Sequence, residues 1–258
     1  MKSVQGDRPT AFQTGGVRID AVTLDEAVER LLIPGAGLAI HLCNAYTVAL
    51  ASKDEALLRM LNDGDLNLAD GMPLVWIAKS LGLRTMQRRV YGPEFMSVSM
   101  DRSQNSGICH FLYGSTPDVL KSLEAQITAR WPGADVVGAI SPPFGPITDD
   151  NLRAAVEAIG QAGADIVWVG MGTPKQDMLV ARMAAMGPQS YVAIGAAFDF
   201  IAGAKKQAPV WVREHGLEWV YRLATEPRRL WKRYLLGNSR FIWVNARVRP
   251  CLVLGAPK

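Results

Sequence analysis

The chain has 258 residues, 28 Lys+Arg against 24 Asp+Glu, 49% apolar side chains and only 20% charged ones. This balance excludes a disordered or low-complexity protein and suits one sizeable core. Three widely spaced cysteines, Cys43, Cys109 and Cys251, exclude a disulfide scaffold and a zinc knuckle. No apolar run approaches the roughly 18 residues of a membrane-spanning helix. The first residues, Met1 to Gly16, lack the apolar stretch of a signal peptide, so a reducing cytosol is the expected compartment.

Residues 1–16 are expected to be flexible. Helical spacing then covers Leu24–Leu32, followed by a strand at Leu38–Leu42, a helix at Ser52–Leu61 and a strand at Leu66–Ala69. A helix at Pro73–Leu81 and a strand at Ile108–Tyr113 come next. Thr116-Pro117 starts a helix running to Arg130, since proline suits the first helical position. Further strands are predicted at Asp135–Ile140, Asp165–Gly170 and Tyr191–Ile194, separated by helices at Asp150–Gln161 and Lys175–Met186. Strands alternating with helices predict an α/β, Rossmann-like fold with a mostly parallel, helix-covered sheet. After about Gly203 the strands stop, and from Pro209 the sequence reads as helices alone, with Pro227 ending one and starting the next. The expected division is an α/β domain over 1–207 and an all-helical appendage over 208–258.

Charge divides the same way. Ten basic residues lie between Val212 and Lys258 against Glu214, Glu218 and Glu226, a net +7 that leaves −3 for the rest of the +4 chain. Trp211, just before this stretch, and Trp219, Trp231 and Trp243 within it add four tryptophans. A near-neutral body with a basic, Trp-bearing tail calls for an anionic partner, either nucleic acid or a lipid surface.

In open α/β sheets ligands bind beyond the carboxyl ends of the strands, which singles out five segments. Gly170-Met171-Gly172-Thr173-Pro174-Lys175-Gln176 follows the strongest strand and opens a helix, whose N-terminus could hold a diphosphate. It is neither a Walker A loop nor a dinucleotide fingerprint, and Thr173-x-x-Gln176 reads equally well as a capping box. Asp70, with Gly71 behind it, suits either a general base in the cleft or a plain Asp-Gly turn. Asn44 suits sugar hydroxyls or a helix cap. Ser115 and Asp199 end the other two segments, Tyr113-Gly114-Ser115 and Gly195-Ala196-Ala197-Phe198-Asp199. Asp63-Gly64-Asp65 has a metal–diphosphate spacing but precedes its strand, so it reads as a solvated turn. His41, His110 and His215 are scattered and read as structural. No metal cluster, no cofactor motif and no hydrolase elbow appears.

The order Asn44-Ala45, Leu68-Ala69-Asp70-Gly71-Met72-Pro73 and Arg89-Val90-Tyr91-Gly92-Pro93-Glu94 continues into the Gly170–Asp177 and Gly195–Asp199 segments. It ends with Gly216-Leu217-Glu218-Trp219-Val220-Tyr221-Arg222-Leu223 and Glu226-Pro227-Arg228-Arg229. Together these motifs, spread from about Gly16 to Trp243, closely resemble the WecG/TagA/CpsF family of bacterial glycosyltransferases. The resemblance implies inverting transfer of a hexose or N-acetylhexosamine from a UDP-sugar to a polyprenyl-diphosphate-linked saccharide, in surface or exopolysaccharide assembly at the inner membrane face.

By the same resemblance Asp70 is the general base, Asn44 belongs to the sugar pocket, Arg89 is a cleft arginine and Gln176 lies on the nucleotide side. Gly170, Gly172 and Asp199 complete the substrate-binding set, and Arg222 and Arg229 are the tail arginines brought to the site. The helical tail would dock on an anionic membrane surface. Two positions depart from the family pattern. Glu94 stands where Asp is frequent, and Leu42 stands where members transferring N-acetylmannosamine often carry threonine, which leaves glucose or another hexose open. No metal, cofactor or nucleic acid is expected, and a homo-oligomer is left open. The alternatives from other classes are a nucleotide-sensing α/β module without catalysis and a nucleic-acid binder using Arg228, Arg229, Lys232 and Arg233.

Overall fold

Successive residues of a strand point to opposite faces of its sheet, and in the central strands of this chain both sets are apolar. Such a strand must be covered on two sides, as helix-flanked parallel sheets are. The computed structural model describes residues 9–253 and bears this out. Its elements are β1 (Ala11–Thr14), β2 (Val17–Asp20), α1 (Leu24–Leu31), β3 (Ala39–Cys43), α2 (Ala45–Ala51), α3 (Glu55–Asp63) and β4 (Leu66–Ala69). Then come α4 (Met72–Ser80), α5 (Gly92–Arg102), β5 (Cys109–Gly114), α6 (Pro117–Arg130), β6 (Asp135–Ile140), α7 (Asp149–Gln161), β7 (Ile166–Gly170) and α8 (Lys175–Ala184). The chain finishes with β8 (Ser190–Ala193), α9 (Ala197–Ile201), α10 (Val210–Glu214), α11 (Glu218–Thr225), α12 (Pro227–Arg247) and β9 (Cys251–Val253).

Six strands form a wholly parallel sheet in the order β4-β3-β8-β7-β5-β6, giving the expected Rossmann-like α/β fold. Alternation along β7 shows how the core is divided. Ile166 and Trp168 pack with Val28 of α1, Phe95 of α5 and Leu123 of α6. Val167 and Val169 face the other way, towards Ile159 of α7 and Val180 of α8. Local chemistry sets the helix starts. Thr23 and Glu26 form a reciprocal capping box on α1, and Thr116 caps α6 ahead of Pro117.

The expectation of a flexible 1–16 segment fails for Ala11–Thr14, which form β1 with Phe12 fully buried; residues 1–8 lie outside the described residues. The signal was present in the sequence. Gly15 and Gly16 both have positive φ, at 56° and 85°, and form the two-residue turn that pairs Thr14 with Val17. This hairpin guards the exposed edge of the large sheet. Asp20 accepts the Asn67 N–H at 2.8 Å, while Asn67 Nδ2 donates to the Arg18 carbonyl at 2.9 Å.

The expectation that strands stop after about Gly203 is also corrected. Cys251–Val253 form β9, which pairs antiparallel with β1. Between these points α12 lies across α2, close enough that a Cβ on Gly237 would sit 2.8 Å from the Tyr46 ring. Phe241 joins the same core cluster as Phe12 and Val48. The helical tail is therefore packed into the body along its length.

A polar network is sealed inside the first core. Trp168 Nε1 donates to His110 Nδ1 at 3.2 Å, and Ser103 Oγ lies 2.7 Å from His110 Nε2. Burial holds the His110 imidazole at a pKa of about 4. The unfolded chain, with an ordinary value near 6.5, takes up a proton that the folded chain refuses. The stability tied to this group is thus complete above about 6.5 and is lost as pH falls towards 4. Urea denaturation at about pH 7 and pH 5 should show a smaller acid-induced loss for His110→Gln than for the parent chain. Equal losses would mean that His110 titrates normally.

Candidate active site

Because every strand of the large sheet runs the same way, the loops that follow them emerge at one edge. They enclose a cleft of about 410 Å³, lined by Asn44 after β3, Asp70 after β4, Ser115 after β5, Phe144 after β6, Gly170 at the end of β7 and Gly172 after it, and Asp199 in α9. Arg222 of α11 and Arg229 and Arg233 of α12 form the facing wall. The sequence-predicted site residues therefore converge, with one exception.

Asp70 is the cleft carboxylate whose surroundings alter its chemistry. Its carboxylate accepts the Gly92 N–H at 3.3 Å. Burial pushes its pKa up to about 6; Arg89 and Arg222 pull it down, and Glu218 adds a like charge that pushes it up. A carboxylate poised near the working pH is suited to accept a proton in a transition state. Gly71 provides the N-cap position of α4, and Asp70 beside it lines the cleft.

Arg89 is the exception. It does not line the cleft but lies behind Asp70, donating from Nη1 to the Asp70 carbonyl oxygen at 3.2 Å. Its Nη2 pairs with Glu218 of α11, and its guanidinium lies 4.3 Å from the Tyr91 ring centroid. The side chains of Arg89 and Glu218 are only 14% and 11% exposed. Removing one member of such a buried pair typically costs about 3–5 kcal/mol, because the other charge is left stranded.

Asn44 serves as the cap that the sequence allowed, its Oδ1 accepting the Tyr46 and Thr47 N–H groups at 3.0 and 3.3 Å, while it also lines the cleft. The capping box read at Thr173-x-x-Gln176 is not formed. Pro174 occupies the N-cap position in a helical conformation, without a side-chain cap. Gln176 instead turns inward, and its Oε1 accepts the N–H groups of Gly172 and Gly195 at 2.8 and 2.9 Å. It ties the loops after β7 and β8 together, and Gly172 meets it with φ +78°, a conformation side-chain-bearing residues avoid. Asp199 pairs with Lys205 at 2.8 Å and Arg229 with Glu226 at 2.5 Å.

Two residues at this site were given no role in sugar transfer from sequence. Arg233 repeats Arg229 one helical turn on, a spacing that puts both on one face of a helix begun by Pro227. Glu218 sits inside a motif already picked out, but nothing local announced a partner 129 residues away. Asp63-Gly64-Asp65 lies before β4, where Asp65 accepts the Ala39 N–H at 2.8 Å. His41 contacts Asp177, and His215 contacts the Trp211 carbonyl, both away from the cleft lining. Among the described residues no three His, Cys, Asp or Glu side chains converge as a metal site. Positive charge at the cleft comes from Lys175, Arg222, Arg229 and Arg233.

The model of the Glycosyl transferase WecG/TagA/CpsF family matches residues 12–250. The chain belongs to this family and is a glycosyltransferase.

The raised pKa of Asp70 has a consequence for folding. Its folded value lies above the ordinary 3.8, so folding favours the protonated acid. The associated stability is complete below about 3.8 and is lost as pH rises through about 6. Asp70→Asn should therefore be more stable than the parent chain at about pH 7.5, by on the order of 1 kcal/mol, and the gap should close near pH 4. Equilibrium denaturation at the two pH values checks this. A variant less stable at neutral pH would show that favourable contacts outweigh the desolvation of the carboxylate.

Proposed function

We propose that this glycosyltransferase moves a hexose or N-acetylhexosamine from a UDP-sugar to a hydroxyl of a polyprenyl-diphosphate-linked saccharide, with inversion, in bacterial surface or exopolysaccharide assembly. The observation that carries the reading is Asp70, desolvated and titrating near 6, at the centre of a cleft walled by arginines. In the proposed reaction the acceptor oxygen attacks the anomeric carbon from the face opposite the diphosphate. The bond to the leaving phosphate oxygen breaks as the new glycosidic bond forms, and one displacement inverts the centre. Asp70 takes the proton of the attacking hydroxyl.

Negative charge grows on the departing UDP, and fixed positive groups aimed at it lower the barrier. Arg222 and Arg229 are assigned that role. The Gly170–Lys175 loop has fewer free donors than its glycines suggest, because Gln176 already takes the Gly172 N–H. Side chains must therefore carry more of the diphosphate's charge. Arg229 and Arg233 line the Asp70 cleft, which supports a role in transfer for these two over contact with nucleic acid.

Peripheral membrane docking at the inner face forms part of the same proposal, with 208–258 as the docking unit. Among the described residues no helix is long and apolar enough to cross a membrane. On α12, Trp231, Leu235, Leu236 and Trp243 are all more than 40% exposed. Arg240 and Arg247 lie 4.4 and 4.5 Å from the Trp243 ring centroid. Apolar side chains that insert, flanked by cations that meet anionic headgroups, suit an interface; each cation contributes about 1 kcal/mol near such a surface.

Asp70→Asn should lower turnover about 100- to 10,000-fold, the usual contribution of a general base, while UDP still binds. The parent enzyme should show kcat/KM rising with pH through an acid limb near 6. Near-normal turnover in a folded Asp70→Asn enzyme would dismiss the base assignment. For docking, the chain should float with anionic vesicles at low salt and be released at high salt. Leu235→Asp combined with Leu236→Asp should weaken that flotation about tenfold or more. Flotation that ignores both salt and these substitutions would remove α12 from the membrane face.

A further inference from the structure

Beside the polar cleft a second cavity of about 620 Å³ opens between α4 on one side and α11 and α12 on the other. Its character is different. Met72, Trp76 and Ile77 of α4 face Trp219 of α11 and Phe241 and Ile242 of α12, so the walls are largely apolar. The outer rim is open, with Trp76 53% and Ile242 67% exposed. At the inner end Asn44, Asp70, Glu218, Arg222 and Arg233 line both this cavity and the polar cleft. The two spaces therefore meet at the proposed base.

Arg233 marks the junction. Its guanidinium lies 4.7 Å from the Tyr46 ring centroid, and its Nε is buried with no hydrogen-bond partner. A desolvated cation with an unmet donor is costly unless an anion arrives. Apolar walls leading inward to a cation, and then to a carboxylate base, match one kind of ligand: an apolar chain ending in a phosphate ester that carries a hydroxylated head.

We propose that this cavity is the lipid subsite of the acceptor, holding the isoprenoid units nearest the diphosphate. The inference rests on the acceptor class proposed above and adds where its lipid lies. The diphosphate sits at Arg233, the donor diphosphate is held by Arg229, which lines only the polar cleft, together with Arg222, which lines both spaces, and the saccharide hydroxyl reaches Asp70 from the α4 side. The volume is that of an ordinary small-ligand pocket, about 300–1,000 Å³, so only the first few units are enclosed. The remainder of the chain leaves past Trp76 and Ile242.

The experiment uses the full chain with soluble acceptors that carry the same saccharide diphosphate on a methyl or a farnesyl group, which removes membrane docking from the comparison. In the parent enzyme kcat/KM should be at least about tenfold higher for the farnesyl acceptor, as expected from burying several methylenes. In Trp76→Glu and Ile242→Asp, both at exposed positions that can take a charge, this ratio should fall towards one. An equal ratio in parent and variants, or no chain-length preference in the parent, overturns the proposal while leaving the acceptor class standing. A second arm is independent of transfer. Benzophenone-bearing farnesyl diphosphate should cross-link saturably to peptides containing Trp76, Trp219 or Ile242, and unlabelled farnesyl diphosphate should compete. If no lipid-diphosphate saccharide accepts sugar at all, the functional reading fails and the cross-link alone decides the subsite. Cross-linking elsewhere, or none, dismisses it.

Discussion

The buried pair between Arg89 and Glu218 fastens the C-terminal helices to the loop that carries Asp70. Arg89 reaches both ways, to the Asp70 carbonyl through one nitrogen and to Glu218 through the other. It adds a charge pair to the apolar packing that seats α12 on α2, and so helps to fix the arginines of the tail over the cleft. The pair also tunes the site, since burial raises the Asp70 pKa most, Arg89 draws it back down and Glu218 adds to the rise. Charge pairs of this kind are weak evidence for stability but effective at fixing one arrangement among several. Here the arrangement fixed is the one that completes the cleft.

Around that contact the parallel sheet supplies rigidity. Six strands of one direction deliver six loops to one edge, and three apolar clusters hold them there. The loops are then cross-tied: Gln176 joins the turns after β7 and β8, and Asn44 fixes the turn after β3 by capping α2. A cleft built this way needs little rearrangement to present Asp70, which is the preorganisation that electrostatic catalysis requires. The tail is tied at both ends, by Glu218 at its start and by β9 on β1 at its finish. It can carry exposed tryptophans and cations outward while its inner face holds the site closed.

Most of the sheet was legible because its signals are local. Alternating β-branched runs, threonine caps and prolines at first helical positions place β4, β6 and α6 at their observed bounds, and the remaining strands of the large sheet within a residue or so. The misses include the eleven-residue α5, whose Gly92-Pro93 start was read only as part of a motif, and β9, whose partner β1 lies at the other end of the chain. The hairpin at Gly15-Gly16 was readable and passed over, since two short strands make little periodicity. The short helices α2 and α9 begin at the carboxyl ends of strands, where seven and five residues give no helical period to detect.

The residues proposed to bind or react were legible as candidates, because the fold confines ligands to the carboxyl ends of strands and the ordered motifs fall there. Asp70, Asn44, Gly172 and Asp199 could be named on that ground. What each does could not. That Asp70 titrates near 6 follows from burial beneath helices that close over it from the other end of the chain. That Gln176 bridges two loops instead of capping its own helix depends on Gly195 lying across from it. That Arg89 holds Glu218 joins positions 129 residues apart. The sequence by itself determined the periods, the turns and the inventory of reactive groups, each set by neighbouring residues. Only the tertiary structure decided which charges face one another and which are stripped of water, because pKa, pairing and burial depend on distances in space that no local spacing encodes.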